Sequence, residues 1–209
     1  MTKVKICGLR SMEDIARIND LQPEFAGFIL SKPFRRYISP ETVNQLCKQL
    51  KETITSVGVF VNEPIHYIAD LLNHNIITMA QLHGDEDESY INRLRRELHS
   101  PKKQKISKAF RIQSQSDIDI EKIQHCTADY ILLDSGTGSG ITFDWSLIKA
   151  IHRPYFLAGG LSPENVQQAI LQCHPFAVDV SSSVETDGKK DPQKMQAFME
   201  AVKHCNMKS

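Results

Sequence analysis

Apolar residues recur along the chain in short runs rich in β-branched and aromatic side chains. The runs are Lys3 to Cys7 (KVKIC), Phe25 to Leu30 (FAGFIL), Ser56 to Val61 (SVGVFV), Ile76 to Leu82 (IITMAQL), Ile106 to Phe110 (ISKAF), Tyr130 to Asp134 (YILLD), Tyr155 to Ala158 (YFLA) and Ala177 to Val180 (AVDV). Between them lie stretches with polar faces at helical spacing, such as Glu86 to Leu98 and Pro192 to Lys203. Strand-length runs alternating with helix-length segments predict βαβ units and a parallel sheet. The helix starts are marked. Ser11 precedes acidic residues in SMED, while SPET at Ser39, SPEN at Ser162 and DPQK at Asp191 each place a capping side chain before a proline. Proline suits the first helical position because its missing N–H costs nothing there and its φ is already helical. Glu63-Pro64 opens a further helix with a less obvious cap.

Eight such units fit either a closed (β/α)8 barrel or an open doubly wound sheet. A dinucleotide-binding sheet carries GxGxxG after its first strand. Here the first turn reads Cys7-Gly8-Leu9-Arg10, and the glycine-rich GTGSG at 136–140 lacks the lysine of a phosphate-binding P-loop. With 209 residues and no linker-like stretch, the chain is predicted to be a compact single-domain α/β protein, a (β/α)8 TIM barrel over 1–209.

Charge and cysteine usage narrow the partners. The 25 basic and 25 acidic residues cancel, so nothing electrostatic points to nucleic acid or a membrane surface. Lys102, Lys103 and Lys105, the densest basic run, read as a solvated loop before a strand. No apolar stretch approaches the roughly 20 residues that span a bilayer, and the N-terminus has no long apolar core, so a soluble cytoplasmic protein is expected. Five widely spaced cysteines without CxxC indicate neither a disulfide framework nor a zinc ribbon. The adjacent pairs His125-Cys126, Cys173-His174 and His204-Cys205 point neighbouring side chains in different directions, so no metal site is expected.

In a barrel of this class the site lies at the C-terminal strand ends. Those ends carry Cys7, then Arg35 and Arg36, Gln81 and His83, Asp134, the pair Gly159-Gly160, and Asp179 with Ser181, Ser182 and Ser183. Any one of these alone reads as structural; several at one opening do not. AGGLSPEN and DVSSSVE form the last two strand–loop junctions, where such barrels commonly hold phosphate on backbone N–H groups. Gly159 and Gly160 let that backbone approach an anion closely. A phosphorylated small molecule is the expected substrate. Cys7 and Asp134, from strands one and six, would supply a thiolate base and a carboxylic acid, which is isomerase chemistry needing no cofactor.

The same residues resemble the phosphoribosylanthranilate isomerase family over nearly the whole chain. The segments are KICGLR, GFIL followed by RRYISPE, VGVFVNE, QLHGDE, LLDS, GSGITFDW, LAGGLSPENV and DVSSSVE, in the family's order. The resemblance implies an Amadori rearrangement of N-(5-phosphoribosyl)anthranilate in tryptophan biosynthesis. Cys7 falls on the family's general base and Asp134 on its general acid, roles that demand opposite protonation states at one pH. Arg36 falls on the arginine that grips the anthranilate carboxylate. Gln81 and His83 would line the pocket, Gly159, Gly160, Ser181 and Ser182 would hold the phosphate, and Asp179 would bond sugar hydroxyls or order its loop. Members are monomers or homodimers. The chain departs from the family pattern at four places. Arg10 replaces a small hydroxyl residue, where a guanidinium would favour a thiolate at Cys7. Phe34-Arg35 puts a second arginine beside Arg36. The loop after Asp134 is short, and Ser183 stands for a glycine, which matters if that position needs positive φ.

Related chemistry fits less well. Indole-glycerol-phosphate synthase would need a lysine at a strand end, but Lys5 and Lys108 lie inside strands; the sugar isomerase of histidine biosynthesis would want aspartate at Cys7. A non-catalytic phosphosugar-binding relic would not need both Cys7 and Asp134.

Overall fold

The apolar runs become eight parallel strands: β1 (Lys3–Cys7), β2 (Phe25–Ile29), β3 (Thr55–Phe60), β4 (Met79–Leu82), β5 (Lys105–Arg111), β6 (Tyr130–Asp134), β7 (Tyr155–Ala158) and β8 (Ala177–Val180). They are hydrogen-bonded in chain order and the sheet closes, with β8 on β1, as a parallel eight-stranded barrel. Closure leaves no sheet edge to protect. The computed structural model describes residues 1–112, 114, 118–134 and 145–208.

Helices α1 (Met12–Leu21), α2 (Pro40–Cys47), α3 (Ile65–Asn73), α4 (Glu88–Glu97), α5 (Ile120–His125), α6 (Val166–Cys173) and α7 (Pro192–Lys208) fill the crossovers. Most starts follow the predicted caps. Ser11 and Asp14 form a reciprocal capping box, Ser39 accepts from the Thr42 N–H ahead of Pro40, and Asp191 Oδ1 accepts from the N–H groups of Gln193 and Lys194. Helix α3 starts behind Pro64 without a side-chain cap.

Three expectations are corrected. Ser162 does not cap a helix beginning at Pro163: α6 starts at Val166, because Asn165 takes the Ser162 N–H on Oδ1 and donates Nδ2 to the Gly160 carbonyl, each at 2.8 Å. The Ser162 hydroxyl instead bonds Glu164, whose carboxyl it holds below the usual range. The apolar run at Ile76 does not begin a strand. Asn75 adopts φ 55°, and the N–H groups of Asn75 and Ile76 return to the carbonyls of Leu72 and Leu71. These bonds make a left-handed helix termination that consumes the first residues of the run. Between β6 and β7 the described residues contain a 3₁₀ turn, Trp145–Ile148, where the pattern predicted a helix. The short glycine-rich loop after Asp134 lies outside the described residues.

The chain divides into two compact units. One comprises Cys7–Ala109 and Cys126–Tyr130. Its strands are buried along nearly their full length, as in parallel sheets covered on both faces. Against them lie the buried stripes Ile15 and Ile18 of α1, Val43 and Leu46 of α2, Ile68 and Leu72 of α3, and Ile91 and Leu94 of α4. The other comprises Met1–Ile6, Phe110–His125 and Ile131–Ser209. Its core includes Leu132, Phe156, Val166, Ala169, Ile170, Met195, Phe198 and Val202. No helix among the described residues is long and apolar enough to cross a membrane.

Candidate active site

Cys7 ends β1 and is buried. The chain turns away through Gly8 at φ 84°, and the N–H groups of Gly8 and Leu9 both donate to the Gly27 carbonyl of β2, at 2.9 and 3.0 Å. Gly27 also clears the space beside the thiol. A Cβ there would stand 2.8 Å from Cys7 Sγ and 3.0 Å from Cys7 Cα. A methyl at this point pushes on backbone as well as on the thiol, so Gly27→Ala is expected to destabilise by about 1–3 kcal/mol and to depress turnover with it. A thermal melt paired with an activity assay checks both; an unchanged melt and full activity refute the packing argument.

The loop after β2 is folded back on the strand, with the Ile38 N–H donating to the Ile29 carbonyl at 3.0 Å and Tyr37 bridged to Ile29. This separates the two arginines. Arg35 is exposed, whereas Arg36 is half-buried with its Nε out of solvent.

At the end of β4 the structure brings Gln81 and His83 together. Gln81 is buried and its Nε2 lies 2.9 Å from His83 Nδ1. With the amide donating, Nδ1 is the accepting nitrogen of the ring. The His83 N–H donates to the Phe60 carbonyl at 2.7 Å, which fixes the ring's root. Below this pair sits a network that the sequence reading missed. Glu86 accepts from the Asn62 N–H on Oε1 (2.7 Å) and from the Gly84 N–H on Oε2 (2.9 Å). Lys108 Nζ donates to the Gly84 carbonyl (2.6 Å) and to Glu86 Oε2 (3.2 Å). Both side chains are buried, and burial pushes the Lys108 amine below its usual range against the opposing pull of Glu86. The network ties the ends of β3, β4 and β5, and so holds the turn that carries His83.

In the other unit, Asp134 ends β6 half-buried, its carbonyl accepting from the Ile112 N–H at 2.8 Å. Asp179 is the register partner of Lys5 across β1 and β8. Lys5 Nζ donates to Asp179 Oδ2 at 2.8 Å, with the lysine side chain wholly buried. The loop after β7 turns through Gly159 at φ 87° and Gly160 at φ 65°, conformations that glycine adopts without cost. The loop after β8 passes through Ser181 into a 3₁₀ turn, Ser182–Val184. Ser183 has negative φ there, so the glycine found in the family pattern is not required for backbone reasons. Its hydroxyl donates to the Leu161 carbonyl and joins the two loops. Next comes a tight hairpin of β9 (Glu185–Thr186) and β10 (Lys189–Lys190). Lys190 Nζ donates to the Ser181 carbonyl (2.9 Å) and to Glu185 Oε1 (2.8 Å), with both side chains buried.

Elsewhere, burial pushes the Cys47 and Cys173 thiols up to about 11, so they remain protonated packing groups at neutral pH. Among the described residues no three His, Cys, Asp or Glu side chains gather in metal-binding geometry.

The family profile for N-(5'phosphoribosyl)anthranilate (PRA) isomerase matches residues 4–201. The chain belongs to the phosphoribosylanthranilate isomerase family. The phosphoribosylanthranilate isomerase of Acetivibrio thermocellus is 42% identical, over 99% of this chain and 98% of that protein. The isomerase of Caldanaerobacter subterraneus subsp. tengcongensis is 43% identical, over 97% and 98%. Among solved structures, the Thermotoga maritima isomerase superposes with a TM-score of 0.86 at 36% identity, covering 98% of this chain and 100% of that one. An isomerase structure in complex with reduced 1-(o-carboxyphenylamino)-1-deoxyribulose 5-phosphate matches with a TM-score of 0.84 at 35% identity, covering 98% and 100%. The Thermotoga maritima isomerase is described as dimeric. In this family member β1 ends in a cysteine and β6 in an aspartate. Sequence reading assigned no partner to Lys5, Glu86, Lys108, Glu185 or Lys190; of these only Lys5 and Lys108 carry a local signal, a charge set inside an apolar run.

Proposed function

We infer that this chain catalyses the Amadori rearrangement of N-(5'-phosphoribosyl)anthranilate to 1-(2-carboxyphenylamino)-1-deoxyribulose 5-phosphate, a step of tryptophan biosynthesis. The observation that carries the reading is the presence of both Cys7 and Asp134 at C-terminal strand ends in a full-length member of the isomerase family. In this scheme Asp134 gives its proton to the ribose ring oxygen, and the ring opens to an iminium. Cys7, as thiolate, then removes the proton from C2′, and the enolamine tautomerises to the ketone. Both steps are proton transfers, so the scheme uses no cofactor. Gly159, Gly160, Ser181 and Ser182 hold the phosphate through backbone N–H groups, and Gln81 and His83 wall the pocket. Asp179, braced by Lys5, orders its loop against the sugar. The working unit is the single domain 1–209, as monomer or homodimer, in the cytoplasm, with this small phosphosugar as its partner.

Arg36 is assigned the anthranilate carboxylate because it is the half-buried arginine of the pair, able to make a two-pronged charge-assisted grip. The test follows the fluorescence of phosphoribosylanthranilate. The purified chain should consume it; no consumption by folded protein rejects the function. Arg36→Ala should raise KM at least about tenfold, in line with a charged hydrogen-bond pair, while Arg35→Ala leaves KM near that of the unaltered chain. The reverse pattern moves the contact to Arg35.

A further inference from the structure

We propose that Lys190 is a positioning residue for phosphate, acting through the peptide bond between Ser181 and Ser182. The inference rests on the phosphate role given above to the loop after β8. Lys190 is not in that loop. It reaches back from β10, with its ammonium 2.9 Å from the Ser181 carbonyl and 2.8 Å from Glu185 Oε1. Its side chain is 2% exposed and that of Glu185 is 5% exposed, so neither charge is spent on solvent.

The peptide plane converts this contact into a device. In a trans peptide the C=O and the following N–H point in opposite directions. A cation fixed on the Ser181 oxygen therefore aims the Ser182 N–H away from Lys190. The ammonium also draws electron density along the amide, which strengthens that N–H as a donor toward an anion. Ser181 itself takes φ −136° and ψ −84°, neither strand nor helix, so the carbonyl's direction is not supplied by regular structure. Lys190 supplies it.

Two further contacts hold the lever still. Lys194 Nζ donates to the Glu185 carbonyl at 2.8 Å, and the Asp191 N–H donates to the Val184 carbonyl at 2.9 Å, so the hairpin and the start of α7 are locked to the turn. Glu185 meets the same ammonium at its own oxygen, so the lysine's charge can be left unbalanced while its contact with the Ser181 carbonyl is kept. Removing Glu185's charge should leave the carbonyl held and the local field more positive.

The experiment compares the unaltered chain with Lys190→Met, Lys190→Arg and Glu185→Gln. It measures kcat and KM for phosphoribosylanthranilate, and the dissociation constants of inorganic phosphate and of anthranilate by titration calorimetry. Lys190→Met should raise KM and weaken phosphate binding by about tenfold each, as expected for a charge-assisted contact. It should leave kcat within about threefold and anthranilate binding unchanged, because the acid and base lie elsewhere. Lys190→Arg should recover at least half of the lost phosphate affinity. Glu185→Gln should leave phosphate binding as tight as in the unaltered chain or tighter. Unchanged phosphate affinity in folded Lys190→Met overturns the proposal, as does Glu185→Gln weakening phosphate as much as Lys190→Met does. If Lys190→Met does not fold, Lys190→Gln takes its place as the uncharged variant: weaker phosphate binding is expected of it, and unchanged phosphate affinity in the folded variant overturns the proposal. Failure of the unaltered chain to consume phosphoribosylanthranilate rejects the underlying function instead, because the phosphate titration does not depend on turnover.

Discussion

Cys7→Ser and Asp134→Asn are each expected to lower kcat at least about a hundredfold, within the range that a positioned acid or base contributes. Serine keeps the shape of cysteine in a slightly smaller side chain, but its alcohol is far harder to deprotonate than a thiol and cannot serve as the same base. Asparagine keeps the planar outline of aspartate and can still donate a hydrogen bond, but it has no proton to transfer to the ring oxygen. Both changes are close to isosteric at buried or half-buried positions, so melting temperatures should move little. KM should also stay close to its original value, because neither group is assigned a grip on the phosphate or the carboxylate. Steady-state kinetics with a circular-dichroism melt decide the matter. Near-normal kcat in either variant removes that residue from its role.

Lys108→Met is expected to cost about 3–5 kcal/mol of stability, which is a large part of the roughly 5–15 kcal/mol that holds a domain folded. The reason lies with its partner. Glu86 would still be buried and still accept from the Asn62 and Gly84 N–H groups, but its charge would have lost the ammonium at 3.2 Å. The Gly84 carbonyl would lose its 2.6 Å donor in the same stroke. Urea unfolding at neutral pH should show a lower midpoint with an unchanged slope. Adding Glu86→Gln should give back about 1 kcal/mol or more relative to the sum of the single changes, because the stranded charge is then gone. Additive costs would show that the pair does not act as a unit. Because the turn carrying His83 hangs on this network, the single variant should also lose activity before it loses its fold on warming.

The strands were legible because each is a run of apolar residues buried along its length, and Ser11, Ser39 and Asp191 announce their helices within a few residues of chain. Local signals misled where a side chain a few positions away competed for the same backbone groups. Asn165 outbid Ser162 for the start of α6, and Asn75, turning left-handed, absorbed the apolar residues that read as the opening of β4. Cys7, Asp134 and the glycine pair were legible as strand ends, and a thiol facing a carboxyl already read as a base and an acid; which substrate atoms they would serve came from the family resemblance. The buried lysines were not legible as partners of anything. Lys5 meets Asp179 across 174 residues and Lys108 meets Glu86 across 22, and no pattern within one strand encodes such pairings. They exist only once the strands are laid side by side in register.

The hydroxyl of Ser183 on the Leu161 carbonyl has a bearing on how this scaffold can be recombined. A graft between related barrels can be cut one strand–loop unit at a time. Here the units ending in β7 and β8 share a fastening, half of it in each. A chimera that imports only the later unit from a relative bearing glycine at this position would bring no hydroxyl to the Leu161 carbonyl. Breakpoints placed before Tyr155 and after Lys190 would transfer the fastening whole, together with the hairpin lysine.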